Sequence, residues 1–537
     1  MARIGVYDRY WPTGGGGEKF AAGIAAALAD EYRVELLAHE PVDRDWLGER
    51  LALDLSAVEV RLVPEPAGAV SRASGDYDLF VNASYLSGDP NRARKGLYVV
   101  HFPGPLPTGA ARARTWLAGR GAEALGGGAG AARVAWGEGY YLPEESRLHT
   151  LRWTAGDASF TVSREHGDGD GDDNGGAAAG GGPVPVVVHL GRFVPAEVGP
   201  VEVVAEADGV TLGKAVVTAP SSRRDRRRTV PLRFTLDVAP GAPVTVWLRC
   251  RSWVPADHGI GTDRRRLGVP VVGLHAGAGA RSAVAAVVPQ LVGPGAGLDF
   301  LDSYDRIVSN SAYTQRWTQR LWGRPSGVLY PPVTPVEPAH KMPIILSVGR
   351  FFVPGTGHNK KQLEMVRAFR RLVESGAAPG WSYHLVGGCA PEHRPYLDEV
   401  VEAARGLPVE VHADASGADL AALYGRASVF WHAAGLGEDP ELFPDRYEHF
   451  GITTVEAMSA GAVPVVVDAA GQAEVVERGR SGLRFRDVDG LVAATTRLVE
   501  DPALLATLAE GARRRAAHFT WEPFVARTRA EVADLLA

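Results

Sequence analysis

The stretch Glu448-His-Phe-Gly-Ile-Thr-Thr-Val-Glu456 has a carboxylate at each end and leads into a predicted helix over 455–460. Thr453 is a good N-cap for that helix, and Glu456 follows three residues later, which is the spacing of a capping box. In this interpretation Glu456 only satisfies backbone amides. The alternative is an anion site, because Gly451 lets the backbone approach a ligand and a helix start offers free N–H groups. The two carboxylates would then suit a sugar hydroxyl and a ribose.

Length and composition indicate a globular protein with several domains. A chain of 537 residues is too long for one core and suggests about three domains. Its formal net charge of −6 gives no overall electrostatic reason to bind nucleic acid. The cysteines, Cys250 and Cys389, lie far apart in the sequence, so neither a disulfide framework nor a cysteine zinc site is expected.

Neither a secretory signal nor a membrane span is expected. The chain opens directly on a predicted strand at 3–7, without the charged and apolar regions of a signal peptide. The longest Ala/Val-rich run, at 282–292, is too short to cross a bilayer. We therefore expect a cytoplasmic protein, and contact with the cytoplasmic face of a membrane stays open.

The first hundred residues alternate between predicted strands and helices, as in a parallel α/β domain whose ligands bind at the carboxyl ends of the strands. Glycines at 14–17 connect the first strand to the first helix and let backbone amides approach a charged ligand. The alternative is a merely flexible turn. His101 follows the strand at 96–100, where a lone histidine is either a functional group or a structural hydrogen-bonding residue.

From about 148 to 274 the pattern changes to short β-rich segments separated by Pro- and Gly-rich turns. This pattern predicts an antiparallel β-sandwich inserted into the first domain. An acidic run at 168–179 is similar to a calcium loop but lacks its glycine and its closing glutamate, so no metal site is expected. Trp247 and Trp253 could stack on sugar rings, although aromatic residues at strand spacing more often belong to a core.

A second α/β pattern begins near residue 341. Its first predicted strand, at 344–351, carries Arg350 near its end, and Lys360 stands at the start of the next helix. Cations in these two places can grip a diphosphate from two sides. The alternative is a pair of surface cations without a partner. The neighbouring Lys361 leaves open which lysine takes this position.

The stretch from Glu448 through the strand at 463–467 resembles the Glu-x7-Glu signature of retaining GT-B-fold glycosyltransferases that use nucleotide sugars (group 1, or family 4). The spacing alone is a weak signal, but Glu-His-Phe-Gly-Ile-Thr-x-x-Glu-Ala-Met-x-x-Gly-x-x-Pro-Val is a strong one. The strand that ends at 309–311 and the link at 330–333 also resemble that family. The resemblance is strongest over 341–525 and does not cover the β-rich segment.

This resemblance implies a front-face, metal-independent transfer of a sugar from a nucleoside diphosphate to an acceptor hydroxyl, with retention of configuration. Arg350 and Lys360, together with backbone amides around Gly451, would stabilise the charge that develops on the leaving diphosphate. Glu448 would orient sugar hydroxyls, and Glu456 would hold the ribose. In the first domain, His101 would lie near the sugar and the acceptor.

The catalytic residues expected are therefore Arg350, Lys360, Glu448 and His101. In the first domain, Gly16, Gly17 and Glu18 match the Gly-Gly-x-Glu loop that the family places between donor and acceptor sites. The residues expected to bind the nucleotide sugar, several of them through the backbone, are Gly16, Gly17, Gly349, Lys361, Gly387, Gly388, Phe450, Gly451, Ile452, Thr453 and Glu456. No cofactor and no metal are expected.

The predicted fold class is α/β: two Rossmann-like domains in a GT-B arrangement, with an all-β sandwich inserted in the N-terminal domain. The expected boundaries are 1–147 and 275–340 for the N-terminal domain and hinge, 148–274 for the sandwich, 341–520 for the C-terminal nucleotide-sugar domain, and 521–537 for a helix that crosses back.

The expected partners are a UDP-, GDP- or dTDP-sugar as donor and a glycan, lipid-linked or small-molecule acceptor. Two other functions stay open. One is an epimerase of nucleotide sugars with the same fold, which needs acid and base carboxylates acting on the sugar ring. The other is a non-catalytic glycan-binding protein in which the β-rich segment binds the ligand. The intact Glu-x7-Glu pattern together with Arg350 and Lys360 favours the transferase.

Overall fold

The computed structural model describes residues 1–64, 68–104, 132–141, 144–145, 150–164, 183–222, 225, 228–260, 263–277, 298–354 and 359–537. The acidic run at 168–179, the Ala/Val-rich run at 282–292 and residue 148 lie outside these residues. In the described part of the chain, none of the helices has the length and apolar character that crossing a bilayer requires.

The strands, numbered along the described chain, are β1 (Arg3–Tyr7), β2 (Arg33–Ala38), β3 (Glu59–Leu62), β4 (Leu79–Asn82), β5 (Lys95–Val100), β6 (Ala132–Trp136), β7 (Glu144–Glu145), β8 (Thr150–Trp153), β9 (Ala158–Arg164), β10 (Val184–Gly191), β11 (Val201–Ala207), β12 (Val210–Val217), β13 (Thr229–Leu236), β14 (Val244–Cys250), β15 (Pro270–Ala276), β16 (Arg306–Ser309), β17 (Gly327–Val328), β18 (Met342–Val348), β19 (Ser382–Gly387), β20 (Val409–Ala413), β21 (Ala427–His432), β22 (Val463–Val467) and β23 (Leu483–Phe485). The α-helices are α1 (Gly16–Leu28), α2 (Arg44–Leu51), α3 (Ala69–Ser74), α4 (Ala312–Trp322), α5 (Gln362–Glu374), α6 (Arg394–Ala404), α7 (Gly417–Arg426), α8 (Ile452–Ser459), α9 (Ala470–Val475), α10 (Val488–Glu500), α11 (Pro502–Ala516) and α12 (Trp521–Leu536).

The first sheet is parallel and orders its strands β17-β16-β5-β4-β1-β2-β3. Its inner strands read as short apolar runs because both faces of the sheet are covered, and each face has its own hydrophobic cluster. The chain leaves this sheet after β5 and returns with β16, which pairs directly with β5. The first α/β unit is therefore built from two separate stretches of sequence.

The second sheet is also parallel, with the order β20-β19-β18-β21-β22-β23. Counted from its first strand this is the Rossmann order 3-2-1-4-5-6, in which the direction of winding reverses between β18 and β21. Ligands of such sheets bind outside the carboxyl ends of the strands at this switch point. Gly349, directly after β18, and His432, the last residue of β21, lie there.

Two antiparallel sheets, β13-β10-β15-β8-β7 and β12-β11-β14-β9-β6, occupy the segment between β5 and β16. Side chains from both sheets, such as Phe160 and Val186, share one hydrophobic cluster. β6 and β7 precede residue 148, so the antiparallel pairing begins earlier than the sequence pattern indicates.

The two tryptophans of this segment have different surroundings. Trp253 is buried in the shared cluster, and its indole N–H donates to the Gly268 carbonyl at 2.9 Å. Trp247 is half-buried, and the Arg249 guanidinium lies over its ring at 4.7 Å. Trp253 is therefore a core residue and is not available to stack on a sugar.

The last helix, α12, packs back on the first α/β unit. Phe524 meets Phe20 of α1 edge to face, with ring centroids 6.0 Å apart. Arg529 donates to the Ala27 carbonyl at 2.8 Å. A β-carbon at Gly23 of α1 would lie 3.2 Å from the Phe524 ring, so this glycine allows the close approach of the two helices.

A carboxylate from the second α/β unit caps a helix of the first. Glu474 of α9 accepts the backbone N–H groups of Ala312 at 2.8 Å and Tyr313 at 3.1 Å, the first two residues of α4. It also accepts the Tyr330 hydroxyl at 2.6 Å. These amides have no acceptor within their own helix, and a negative charge suits the positive end of the helix dipole. Glu474 thus stabilises α4 and joins the two units.

Replacing Glu474 with glutamine is expected to lower the thermal unfolding midpoint by about 2–4 °C. Losing a helix cap costs about 1 kcal/mol, and in a domain of roughly 150–250 residues that loss shifts the midpoint by this amount. A glutamine oxygen can accept one of the backbone bonds, but its NH₂ group repels the other N–H. Differential scanning calorimetry measures the change. Glu500→Gln, at an exposed position, is the matched control. Equal midpoints for both variants and the wild type would show that the cap contributes nothing.

Candidate active site

The loop at 448–451 leads directly into α8, which begins at Ile452. Gly451 is the N-cap and has a φ of 109°, which residues with a side chain rarely adopt. The prediction of Thr453 as N-cap and of a helix start at 455 is therefore wrong. The glycine turns the chain into the helix earlier, so Thr453 lies in the first turn of α8.

Donors without a partner gather at the start of α8. The backbone N–H groups of Ile452 and Thr453 have no acceptor among the described residues, as expected for a first turn. Gln472 of α9 is buried and its oxygen accepts the Thr454 hydroxyl at 3.0 Å. Within the described chain its Nε2 has no partner, and a β-carbon at Gly451 would lie 2.6 Å from it. This arrangement suits an anion.

Glu448 lies in a compact charged cluster at the switch point of the second sheet. Its Oε2 accepts from the Lys360 ammonium at 2.7 Å and contacts His432 Nε2 at 3.0 Å. Burial alone would raise the pKa of Glu448, but the Lys360 charge and the His432 hydrogen bond hold it well below its usual value. Burial lowers the pKa of His432 despite the neighbouring carboxylate. We infer that Glu448 is ionised and that His432 donates to it as a neutral ring.

The two adjacent lysines have separate partners. Lys361 has a positive φ of 59° at the start of α5, and its ammonium pairs with Glu438 at 2.8 Å. Glu438 also accepts Arg446 at 2.8 Å. The structure therefore brings Lys360, and not Lys361, to Glu448. Lys361 lies beside a different loop carboxylate.

Glycines allow the Lys360 stem and the strand ends to pass close together. A β-carbon at Gly349 would lie 2.7 Å from Lys360 Cγ, and one at Gly387 would lie 2.1 Å from the Gly349 carbonyl oxygen. Gly388 follows at the surface, 3.9 Å from Arg350 Cγ by the same construction. Arg350 is exposed, and its guanidinium lies over the Phe352 ring at 4.9 Å. Among the described residues it makes no ion pair.

Glu456 does not cap α8, because its carboxylate accepts a hydrogen bond from a side chain of α7. Its Oε2 accepts the Tyr424 hydroxyl at 2.9 Å. Burial raises the pKa of Glu456, while Tyr424 and the nearby Lys19 of α1 act in the opposite direction. The capping box with Thr453 is therefore absent. Glu456 instead lies between α7 and a lysine of the first α/β unit.

Phe450, which was expected to bind the nucleotide sugar, has its side chain in a hydrophobic cluster. Its ring centroid lies 5.7 Å from that of Tyr330 and 5.3 Å from that of Phe519. Only the backbone of Phe450 is therefore available to a ligand. Its apolar side chain anchors the loop whose other residues, Glu448 and Gly451, form the site.

Residues of the first unit meet the start of α8. A β-carbon at Gly16 would lie 3.0 Å from Ile452 Cδ1, and one at Gly17 would lie 3.6 Å from the His101 ring. His101 Nε2 contacts the Ala83 carbonyl oxygen at 2.7 Å, so this nitrogen carries the proton. Burial lowers the pKa of His101, which leaves the ring neutral with an unprotonated Nδ1 on the side of the glycine loop.

An aromatic contact aligns the two halves of the site. Phe102 stacks on His449 with ring centroids 4.0 Å apart and an interplanar angle of 9°. Each is the sequence neighbour of an expected catalytic residue, His101 and Glu448 respectively. This contact ties the position of one to that of the other.

Sequence reasoning missed His432 and Gln472. His432 ends β21 beside the switch point, so the rule that ligands bind at strand ends could have found it. Gln472 carries no such signal, since a lone glutamine in a short helix is ordinary. The expected residues Arg350, Lys360, Glu448, Gly349, Gly387 and Gly388 lie at one edge of the second sheet, and Gly16, Gly17 and His101 lie on the first unit.

Comparison with known proteins singles out the second α/β unit. Residues 342–501 match the family of glycosyl transferases group 1. A glycogen synthase of Mycobacterium tuberculosis is 37% identical over 93 residues, which are 17% of this chain and 22% of that protein. This chain thus spans about a fifth of the length of that curated relative.

Two solved structures resemble the whole chain. Anabaena Alr3699/HepE in complex with UDP has a TM-score of 0.51 at 12% identity, with 100% of both chains covered. Sucrose-phosphate synthase from Thermosynechococcus elongatus has a TM-score of 0.51 at 14% identity, with 100% of this chain and 99% of that chain covered. These likenesses confirm the predicted GT-B fold with its parallel α/β sheets.

Lys360→Gln is expected to destabilise the protein at neutral pH, by an amount that shrinks in acid. Because the folded-state pKa of Glu448 is depressed, the ion pair stabilises the fold fully above the unfolded-state pKa of about 4.3. That stabilisation is lost as the pH falls through the lower folded-state value. Thermal unfolding midpoints of both proteins, compared from about pH 7 down to about pH 3, measure it.

The control is Arg405→Gln, which removes an exposed pair with Glu402. Such a pair contributes little at any pH. If the unfolding midpoint of Lys360→Gln stayed below that of the wild type by the same amount at every pH, a Coulombic role for Lys360 would be contradicted.

Proposed function

We propose that this protein is a retaining glycosyltransferase that moves a sugar from a nucleoside diphosphate to an acceptor hydroxyl. The observation that carries the proposal is the cluster at the switch point of the second sheet: Lys360, Glu448 and the first amides of α8, which have no acceptor in the described part of the chain. It brings cationic and backbone donors to the place where α/β sheets bind ligands, beside a carboxylate. The match of residues 342–501 to glycosyl transferases group 1 supports it.

The donor diphosphate would bind between Lys360, Arg350 and the start of α8. Arg350 has no competing ion pair within the described chain, so its planar fork is available to phosphate oxygens. The amides of Ile452 and Thr453, with the Gln472 NH₂ group, add neutral donors. Departure of the diphosphate develops negative charge, and preorganised donors of this kind are a large source of rate enhancement. UDP is the first nucleotide to test, because HepE is solved with it.

Glu448 would accept hydrogen bonds from sugar hydroxyls through the carboxylate oxygen that His432 and Lys360 do not occupy. Its low pKa keeps it an acceptor at neutral pH, which makes it a poor general acid. This disfavours an epimerase, whose chemistry needs a carboxylate that exchanges protons. Glu456 would bind the ribose hydroxyls, and the Tyr424 hydroxyl would hold Oε2 of the Glu456 carboxylate in place.

Retention in this proposal is a front-face reaction without a covalent enzyme intermediate. The leaving phosphate would take the proton of the acceptor hydroxyl as that hydroxyl attacks the sugar carbon from the same face. His101 would orient the acceptor or the sugar through its unprotonated Nδ1, because its other nitrogen is held by Ala83. No metal is needed for these steps, since Lys360 and Arg350 supply the positive charge.

The acceptor would enter from the first unit. A pocket at the carboxyl ends of β1, β2 and β4 is lined by Tyr7, His39 and Ser84, and by Tyr140 and Tyr141 from the antiparallel segment. The pocket also includes Tyr85, whose ring lies 6.5 Å from His101. Tyr7, Tyr140 and Tyr141 are buried, whereas Tyr85 is exposed and offers an aromatic face beside polar groups. Such a face suits a sugar ring, so a glycan, a glycosylated lipid carrier or a small glycoside is the expected acceptor class.

The test is turnover of UDP-, GDP- and dTDP-sugars by the purified protein, with released nucleoside diphosphate as the readout. Arg350→Ala and Lys360→Ala are each expected to reduce turnover by about 10²-fold, the scale of losing one preorganised donor. Arg405→Ala, which removes an exposed arginine just after α6, is the control and should leave turnover unchanged. Proton NMR of the product should show the anomeric configuration of the donor.

Three results would overturn the proposal. Inversion of the anomeric configuration would exclude retention. Conversion of a nucleotide sugar into its epimer without release of diphosphate would show an epimerase. Binding of glycans by a protein that releases no nucleotide from any of the three donor classes would show a non-catalytic glycan-binding protein.

A further inference from the structure

A cluster of two histidines and one glutamate lies on an edge strand of the second sheet and the strand next to it, apart from the site described above. His384 is on β19, and Glu410 and His412 are on the edge strand β20. Among the described residues this is the one group of three or more His, Cys, Asp or Glu side chains that could hold a metal ion. Neither the nucleotide-sugar site nor the acceptor pocket uses any of the three.

Strand register places all three side chains on one face. His384 pairs with Glu410 across the two parallel strands, and His412 lies two residues beyond Glu410. Because side chains alternate between faces with a period of two, Glu410 and His412 both point to the side of His384. The opposite face, which carries Tyr383, belongs to the main hydrophobic cluster of this unit. The position is therefore set by the sheet and not by flexible loops.

The distances between the three ligand atoms fit one tetrahedral metal site. His384 Nδ1 lies 3.1 Å from His412 Nε2, and Glu410 Oε2 lies 3.7 Å from the former and 3.5 Å from the latter. A four-coordinate zinc ion with bonds of about 2.0–2.2 Å requires neighbouring ligand atoms about 3.3–3.6 Å apart. To reach that geometry the two rings would have to separate slightly and exposed Glu410 would have to move slightly closer to His384.

The other ring nitrogen of His384 has a partner that orients it. Ser382 Oγ lies 3.1 Å from His384 Nε2. If Nε2–H donates to this hydroxyl, Nδ1 is unprotonated and presents its lone pair to the cluster. Metal-bound histidines usually have such a second hydrogen bond, which fixes the tautomer and the ring orientation. The His384 side chain is nearly buried, which further restricts its ring.

We propose that His384, Glu410 and His412 form a binding site for a divalent transition-metal ion of the zinc class. Two imidazoles and one carboxylate supply three ligands of the kinds that zinc accepts, and the exposed side of Glu410 leaves the fourth position to water. Bound metal would join the edge strand β20 to β19. The ion would add a side-chain link to β20, which pairs with one strand of the sheet and packs on the core through Val409 and Val411.

The charged side chains that act on His384 are of opposite sign, so they do not repel a bound cation as a cluster of arginines would. Arg426 of α7 is the cation whose field reaches His384. Glu410 offsets it within the cluster, so the ion would meet one carboxylate and two neutral rings. Mg²⁺ prefers an octahedral set of oxygen ligands and is not expected to bind here.

The proposal is tested by zinc binding to the full-length protein after treatment with a chelator. Titration with ZnCl₂ against a chromophoric competitor, together with elemental analysis after desalting, should give one equivalent per chain. His384→Gln, Glu410→Gln and His412→Gln should each lose stoichiometric binding. Ser382→Ala should bind about tenfold more weakly, since it removes only the orienting hydrogen bond. His340→Ala, at an exposed histidine elsewhere, should bind like the wild type.

A second readout is the thermal unfolding midpoint, which zinc should raise in the wild type and in His340→Ala but not in His412→Gln. His412 is partly exposed, so its substitution tests the site even where a change at the more buried His384 disturbs folding. Equal zinc binding by all variants would identify an adventitious ion only. Failure of the folded wild type to bind zinc would show that the rings share an ordinary N–H···N hydrogen bond. Either result overturns the proposal, and neither depends on glycosyltransferase activity.

Discussion

The ion pair between Lys360 and Glu448 determines how the candidate active site is assembled. The lysine comes from the residues before α5, the glutamate from the loop before α8, and His432, at the end of β21, contacts the same carboxylate oxygen. Three separate segments thus converge on one atom. Both side chains are partly buried, so removing one partner leaves the other charge poorly compensated and costs more than losing an exposed pair. The pair in turn depends on Gly349, because a side chain there would collide with the Lys360 stem.

The two α/β units meet through a few specific contacts beside the site. Phe102 stacks on His449, Gly16 touches Ile452, and Glu474 caps α4 from across the boundary. The Phe102–His449 and Gly16–Ile452 contacts each involve residues of the expected site or residues next to them in the sequence. Rotation of one unit against the other would therefore move His101 relative to Glu448. Apolar packing also continues across this boundary, because Phe102, Tyr313 and Trp317 of the first unit belong to the main hydrophobic cluster of the second.

The part of the candidate site that lies at the carboxyl ends of strands could be predicted from the sequence, because ligands of α/β sheets bind there. Parallel strands bring their last residues to one edge of the sheet, so Arg350 after β18 and the Gly387–Gly388 pair at the end of β19 could be expected together, with Lys360 at the start of the helix that follows β18. The predictions failed where two local preferences compete. Thr453 has a good capping side chain, but Gly451 can adopt a positive φ and starts the helix first. Phe450 stands in a ligand-binding motif, but its apolar ring is stabilised by burial against Tyr330 and Phe519.

Other features had no sequence signal. β6 follows Gly-rich sequence and β7 has two residues, so the brief alternation of Ala132, Val134 and Trp136 is a weak signal for the start of the antiparallel pairing. The His384, Glu410 and His412 cluster joins positions in two strands that only the register brings together. The Gln472 side chain likewise lies beside Gly451 because of the way α9 packs, and no sequence motif links the two residues.

In the proposed site the donor diphosphate competes with Glu448 for the Lys360 ammonium, and this competition can be measured. Isothermal titration of UDP and GDP into the wild type, Lys360→Gln and Glu448→Gln tests it most directly. We predict that the nucleotide that binds the wild type binds Lys360→Gln at least about tenfold more weakly, the scale of one charged hydrogen bond. Glu448→Gln should bind it as tightly as the wild type or more tightly, because a competing carboxylate is gone. Equal affinity in Lys360→Gln and the wild type, or a greater loss in Glu448→Gln, would contradict the account.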